Sequence, residues 1–106
     1  MDYSSENGWV KMAEGVHRQV QVDGEKLMVV KVHFAPGAAV PSHSHPNEQA
    51  TYVVSGRLQF TLGDKTMDLA AGQTIGVPSN VAHRVVAADE TTVLDSFSPP
   101  REDFRK

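Results

Sequence analysis

Apolar and polar residues alternate in short runs over most of this chain, a pattern typical of β-strands with one buried face. Residues 57–62 are the clearest case, because a period of two places Leu58, Phe60 and Leu62 on the same face. Residues 26–34 form a longer run that is rich in β-branched side chains. Further strands are predicted at 16–22, 49–55, 65–69, 73–77, 82–87 and 91–97.

Turn-forming residues separate these runs. The dipeptide Gly63-Asp64 predicts a tight hairpin, and other turns are predicted at 35–37, 71–72 and 78–80. Only residues 5–14 and the tail after Pro99 leave room for a short helix. Because no segment can hold the crossover helices of a parallel sheet, the pattern predicts an all-β fold with antiparallel strands. A barrel or jelly roll is favoured over an open sandwich, since it removes exposed strand edges.

Length and composition narrow the function classes. The 106 residues fit one domain, with the barrel core expected over about residues 15–98. The chain has no cysteine, which excludes disulfides, thiolate chemistry and zinc-finger sites. Acids and bases are mixed at a formal charge of −3, so no basic stripe predicts binding to nucleic acid or a membrane surface. The polar start at Met1 lacks a signal-peptide pattern, so a cytoplasmic location is expected.

Three histidines form the strongest chemical pattern. His43 and His45 are bracketed by Pro41 and Pro46, which favour an extended backbone. If both histidines lie on one β-strand, their side chains point the same way. His83 follows its own proline-containing turn and could add a third imidazole from a neighbouring strand. Neutral imidazoles bind divalent transition metals, so the pattern predicts a metal site, with a pair of exposed loop histidines as the alternative.

The spacing of these residues resembles the two sequence motifs of the cupins. The first motif is matched by Gly37, His43, His45, Gln49 and Gly56, and the second by Gly72, Pro78 and His83. The resemblance implies a single-domain cupin, an antiparallel jelly-roll β-barrel with one divalent metal ion inside it. The implied ligands are His43, His45, Gln49 and His83. The identity of the ion is not implied, and Zn, Ni, Fe, Mn and Co are all candidates.

Gln49 departs from the cupin motif, which usually has Glu at this position, and Glu48 lies one residue too early. Because side chains alternate along a strand, Glu48 should face away from the histidines. Three imidazoles and an amide leave the ion its full +2 charge, which favours Lewis-acid polarisation of oxygen-rich ligands over redox cycling. Asn80 replaces a motif glycine and is expected in a left-handed turn conformation.

The last predicted strand and the tail supply the remaining candidates. Val93, Asp95 and Phe97 share one face of the strand. An inward Asp95 would be a general acid or base near a cation, with Phe97 as a pocket wall. The alternative is an outward Asp95 on a two-sided strand. The guanidinium of Arg101 suits a substrate carboxylate, unless it is only a solvated tail charge.

Four other residues receive weaker interpretations. Tyr52 is adjacent to residues expected to point inward and should therefore face outward, and Arg57 is a minor candidate for ligand binding. His17 and His33 lack partner spacing, so we interpret them as structural or exposed.

Taken together, residues 43–49, Asp95 to Phe97 and the tail from Pro100 to Phe104 are similar to the KdgF-type pectin-degradation cupins. This resemblance implies promotion of ring opening and tautomerisation of 4,5-unsaturated uronates to 5-keto-4-deoxyuronate. It also implies that Asp95 moves protons, that Phe97 shapes the pocket and that Arg101 positions the substrate carboxylate.

Two other functions stay open. A dioxygenase of the quercetinase type would need a redox-active ion with an open site for oxygen, and a sugar-acid binding module would need no catalysis. The expected partner is a small-molecule sugar acid, with no nucleic acid and no membrane. Small cupins commonly pair through their sheets, so a homodimer is expected, with the strand near Val16 reaching across to the second subunit.

Overall fold

The computed structural model describes residues 8–105, which form two antiparallel sheets that face each other across an apolar core. The strands are β1 (Val10–Ala13), β2 (Val16–Asp23), β3 (Met28–Phe34), β4 (Ala39–His43), β5 (Glu48–Ser55), β6 (Arg57–Leu62), β7 (Lys65–Ala70), β8 (Thr74–Val77), β9 (His83–Ala87) and β10 (Thr91–Ser98). A short 3-10 helix covers Glu102–Phe104. The six-stranded sheet has the order β1-β2-β3-β10-β5-β8, and the four-stranded sheet has the order β4-β9-β6-β7.

The alternation in the sequence becomes burial on the inner faces of the sheets. Buried and half-buried residues alternate along the whole of β3, and β5 alternates between exposed and buried positions over most of its length. The buried apolar core consists of Val16, Met28, Val30, Val32, Phe34, Val53, Leu58, Phe60, Leu69, Val77, Val85, Ala87, Val93, Phe97 and Phe104. Both sheets contribute to this set, so the core closes the space between them.

Backbone conformation at the turns agrees with the residue types found there. The β6–β7 hairpin turns at Gly63-Asp64, where Gly63 has a φ of 61°. Asn80 has a φ of 65°, which confirms the left-handed conformation expected of it. Gly56 has a φ of 91°, and a Cβ atom there would overlap the carbonyl oxygen of Glu90. Only glycine fits that close approach between the β5–β6 turn and the start of β10.

The all-β prediction is confirmed, and each predicted run contains a strand. The structure adds β1 and β4, which the alternation did not predict. Residues 10–13 form a strand, so the helix prediction for residues 5–14 is wrong there, because β1 pairs with the edge of β2. Residues 5–7 lie outside the described residues. In the tail, the short helix is confirmed.

Two further findings concern surfaces and edges. β3 pairs with one edge of β2, and β1 pairs with the first residues of the other edge, Val16–Arg18. The start of the strand at Val16 is therefore covered within the chain, and β1 takes the edge position there. Between residues 8 and 105, no helix is both long enough and apolar enough to span a membrane.

Candidate metal centre and active site

The three predicted histidines converge from the four-stranded sheet and the segment that leaves it. His43 ends β4 and lies directly opposite His83, the first residue of β9, in the four-stranded sheet. His45 follows in the segment that crosses over to β5 in the six-stranded sheet. The two histidines of the His-x-His pair therefore do not share one strand, which corrects that expectation. The crossover itself brings His45 beside the others, with ring centroids 5.7 Å from His43 and 5.0 Å from His83.

Each of these imidazoles is oriented by a backbone carbonyl. The Nδ1 atoms of His43 and His83 lie 2.9 Å from the carbonyl oxygens of Pro41 and Val81, two residues earlier in each case. The Nδ1 of His45 lies 3.0 Å from the carbonyl oxygen of Asn47. A carbonyl only accepts hydrogen bonds, so each Nδ1 carries the hydrogen and each Nε2 keeps a free lone pair. This hydrogen-bond pattern is typical of histidines that bind metal through Nε2.

The potential ligand atoms of His43, His45 and His83 all lie within 4.8 Å of one another. The Nε2 of His83 is buried and has no hydrogen-bond partner in the part of the chain that the structure describes, which is costly unless a ligand occupies it. Burial, with smaller contributions from neighbouring groups, lowers the pKa of His45 and lowers that of His83 to about 4. Both side chains are therefore neutral at pH 7, as a metal ligand must be.

Gln49 points inward and is buried, whereas Glu48 is exposed, as the strand register predicted. The Oε1 atom of Gln49 lies 3.0 Å from the Nε2 of His45. Because both atoms present lone pairs, this contact is unfavourable unless a cation lies between them. A divalent ion bound by both residues would relieve this contact, so the chemistry of Gln49 fits a site shared with the three histidines.

A polar chain leads from Gln49 to the predicted acid or base. The amide nitrogen of Gln49 donates to the Oγ1 of Thr51 at 2.9 Å, and that hydroxyl donates to the Oδ1 of Asp95 at 2.5 Å. Asp95 thus faces the barrel interior and not the outer surface. Burial raises the pKa of Asp95 to about 6, against the opposing effects of the Thr51 hydrogen bond and the charge of Arg101.

The remaining predicted site residues lie at the same cavity. Phe97 is buried and packs edge-on to His45, with ring centroids 5.7 Å apart. The guanidinium of Arg101 lies 4.2 Å from the ring centroid of Phe104 and 5.1 Å from that of Phe97. His43, Gln49, His83, Asp95, Phe97 and Arg101 all line one cavity of about 40 Å³.

The size of this cavity constrains what can bind. It accommodates an ion with one or two waters but is far below the about 300 Å³ at which small-molecule pockets usually begin. Arg101 and Phe104 line it from the tail, and Met12 lines it from β1. A sugar-sized ligand therefore requires movement of these cavity-lining side chains.

Sequence reasoning assigned no role to two residues that the structure places in the site. Thr51 bridges Gln49 and Asp95, and Asn47 donates from its side chain to the carbonyl oxygen of Pro99 at 2.6 Å. Asn47 thereby ties the tail to the segment that carries His45. Alternation predicts that Thr51 shares its inward face with Gln49, so its place in the site could have been predicted from the sequence. The contact of Asn47 could not, because it joins residues far apart in the chain.

The weaker candidates lie outside the cavity. Tyr52 is exposed, as expected, and Arg57 is exposed at the start of β6. His17 and His33 lie opposite each other on β2 and β3, where the Nε2 of His33 contacts the Oε2 of Glu90 at 2.8 Å. These positions agree with the interpretation of both histidines as structural or exposed.

Comparison with known proteins agrees with this geometry. Residues 30–97 match the family described as "Cupin domain". The pectin degradation protein KdgF of Dickeya dadantii is 35% identical over 101 residues, covering 93% of this chain and 92% of that protein.

Two solved structures have a similar fold. KdgF from Halomonas sp. is 32% identical and superimposes with a TM-score of 0.88, covering 93% of this chain and 92% of that one. An RmlC-like cupin from Shewanella frigidimarina is 32% identical with a TM-score of 0.89, covering 97% and 93%. Because the family match contains all three converging histidines and most of the barrel, this chain belongs to the cupin family.

Proposed function

We propose that this protein is a metal-dependent cupin that promotes ring opening and tautomerisation of 4,5-unsaturated uronates to 5-keto-4-deoxyuronate. Its similarity to two KdgF proteins, one of them described as a pectin degradation protein, supports this substrate class. The observation that carries the proposal is the position of Asp95. Its carboxylate lies in the same small cavity as the histidine cluster and is connected to Gln49 through Thr51.

One divalent ion would be held by His43, His45, Gln49 and His83. These ligands are compatible with Zn, Ni, Fe, Mn or Co. Such an ion supplies Lewis-acid polarisation of substrate oxygens. The four ligands are neutral, which leaves the ion its full charge and favours binding of an anionic sugar acid.

The chain's own residues then account for the movement of the proton. Asp95 accepts the proton of the O1 hydroxyl as the C1–O5 bond breaks, which gives an aldehyde at C1 and an enolate oxygen on C5. The same proton goes to C4 as the enolate becomes the C5 ketone, so the reaction is a balanced isomerisation. Phe97 closes one wall of the cavity, and Arg101 binds the substrate carboxylate through its guanidinium.

The test is turnover of unsaturated uronate generated by a pectate or alginate lyase, followed by loss of ultraviolet absorbance. We expect Asp95→Asn to retain metal and fold while losing most turnover. Asp68→Asn, on an exposed position of β7, is the matched control and should keep wild-type turnover. Undiminished conversion by Asp95→Asn contradicts the assignment.

The same preparation separates the other two functions. Oxygen uptake with a flavonol or diketone would identify a dioxygenase, whereas full activity with zinc under anaerobic conditions excludes one. Thermal stabilisation by a sugar acid that is never converted would identify a binding module.

We also propose a cytoplasmic homodimer that associates through the outer face of the six-stranded sheet. Tyr52 and Val54 are exposed there, and Leu94 lies directly opposite Tyr52 on the neighbouring strand. Light scattering after gel filtration would show the mass of two chains. Tyr52→Lys should then shift that mass to one chain, and a wild-type monomer would contradict the proposal.

A further inference from the structure

Arg101 lines the cavity from the C-terminal tail, where it packs against aromatic side chains. Its side chain is only 12% exposed, and the guanidinium contacts the rings of Phe97 and Phe104. Arginine side chains are otherwise among the most flexible, so such an arrangement needs a partner that fixes the last torsions. That partner is Asp103.

Asp103 grips one edge of the Arg101 guanidinium. The Nε atom donates to Oδ1 at 3.1 Å and Nη2 donates to Oδ2 at 2.8 Å, which is the paired geometry of an arginine–carboxylate contact. Across residues 8–105, Nη1 has no hydrogen-bond partner. The side chain of Asp103 is 62% exposed, whereas Arg101 also lines the cavity. Asp103 thus holds Arg101 from the solvent side and leaves one edge of the guanidinium unpaired among the described residues.

The position of Asp103 is itself fixed by the fold. Asp103 lies in the short 3-10 helix, where the backbone N–H of Phe104 donates to the carbonyl oxygen of Arg101 at 3.1 Å. The Phe104 ring is buried and packs edge-on to Phe97 at 5.7 Å. Arg18 lies on the same ring, 4.1 Å from its centroid, and adds a second positive charge near Asp103. This environment keeps Asp103 ionised and in place.

We propose that Asp103 is a positioning residue that presents the free edge of Arg101 to the carboxylate of a sugar acid. The ligand class rests on the proposed function, but the positioning does not. An arginine that is already ordered loses less freedom when the ligand arrives, so the contribution of Asp103 is to affinity. A bond made equally in the ground state and the transition state changes KM and leaves kcat unchanged.

The test compares two variants of the metal-loaded protein. Asp103→Asn removes the charge and one of the two hydrogen bonds to Arg101, so we expect KM for the unsaturated uronate to rise about tenfold with kcat within about twofold of wild type. Glu102→Gln is the matched control. It removes the same charge from the same helix, but Glu102 is paired with Arg105. Its KM should stay within about twofold of wild type.

A binding measurement makes the inference independent of turnover. We expect calorimetry to show that Asp103→Asn weakens binding of galacturonate by the same factor and leaves binding of uncharged galactose unchanged. A fall in KM would identify Asp103 as an internal competitor for Arg101 and would overturn the inference. Equal effects of Asp103→Asn and Glu102→Gln would overturn it as well, since a general charge effect would then suffice.

If wild type binds galacturonate no more tightly than galactose, the inference fails whatever the turnover shows. If wild type binds galacturonate more tightly but converts no uronate, only the proposed function fails.

Discussion

The hydroxyl of Thr51 donates its hydrogen to the carboxylate of Asp95 at 2.5 Å, from the position directly opposite on the neighbouring strand. A hydroxyl has one hydrogen, so Thr51 must accept from its other neighbour, the amide nitrogen of Gln49. The orientation of the Gln49 amide is therefore coupled to the charge of Asp95. This coupling turns the oxygen of Gln49 toward the histidines as long as Asp95 is an acceptor.

The first prediction concerns this bridge. Thr51→Val keeps the volume of the side chain but removes both hydrogen bonds, so the Gln49 amide and the Asp95 carboxylate lose their shared partner. We expect turnover of the unsaturated uronate to fall about tenfold or more, which corresponds to about 1.4 kcal/mol of transition-state stabilisation. Thr66→Val is the control, because that hydroxyl forms a hydrogen bond with Thr61 on the exposed face of the four-stranded sheet, away from the cavity. Equal turnover in Thr51→Val and wild type would show that the bridge is not used.

The second prediction concerns the neutral fourth ligand. Gln49→Glu adds a negative charge beside the histidines, so we expect divalent metal to bind more tightly by about tenfold. Turnover should nevertheless fall, since the ion polarises oxygen less and Thr51 then faces two carboxylates with only one hydrogen. Competition with a chromogenic chelator measures the affinity, and the uronate assay measures the rate. An increase in turnover would contradict the Lewis-acid interpretation of Gln49.

The third prediction concerns metal-linked stability. A divalent ion at about 100 times its Kd should add about 2.7 kcal/mol to the free energy of unfolding. Differential scanning calorimetry should then show a Tm higher by about 10 °C than in the chelator-treated protein. His83→Ala should remove this shift. His33→Ala, on the outer face beside Glu90, should retain it, and loss of the shift in both variants would contradict the assigned ligands.

The fourth prediction is a pH dependence of the metal-free protein. Burial lowers the pKa of His83 from 6.5 to about 4, so acidification through that range protonates the unfolded state first and reduces stability. Burial raises the pKa of Asp95 from 3.8 to about 6, so the folded state takes up that proton first and stability rises as pH falls through the range. The two effects oppose each other between pH 6 and 4.

Asp95→Asn removes the contribution of Asp95, which raises the stability of wild type as the pH falls. In the presence of chelator, its free energy of unfolding should fall more steeply than that of wild type from pH 6 to 4, by up to about 1.4 kcal/mol per pH unit. Urea unfolding at several pH values provides the measurement, with Asp68→Asn as the control on an exposed strand position. Parallel curves for Asp95→Asn and wild type would mean that Asp95 titrates normally.

The fifth prediction concerns the turn at Gly56. Gly56→Ala places a Cβ against the backbone of Glu90 and Thr91 and forces a positive φ on alanine, so we expect a loss of about 2–4 kcal/mol in the free energy of unfolding. Gly72→Ala is a matched control, because Gly72 has a similar φ of 89° and no atom of residues 8–105 lies near the new Cβ. Its loss should be about 1–2 kcal/mol. Equal losses in both variants would assign the whole effect to φ and none to the contact.

Alternation alone determined much of this protein. The period of two along residues 57–62 placed Leu58 and Phe60 in the core, and the same rule placed Gln49 inward and Glu48 outward. These predictions hold because the side-chain direction in a strand depends only on its neighbours along the chain. The same rule placed Asp95 on one face with Val93 and Phe97 but left open whether that face points inward, which the structure shows that it does.

The tertiary structure decided what the chain neighbours could not. The pairing of β4 with β9 brings His43 to His83, and the crossover between the sheets brings His45 to both. The contact between Thr51 and Asp95 depends on which residues of β5 and β10 lie opposite each other. Arg101 reaches the cavity because Phe104 anchors the tail in the core. Each of these relationships joins residues from separate elements of the fold. It is determined by strand register and side-chain packing, and neither can be predicted from the local sequence pattern.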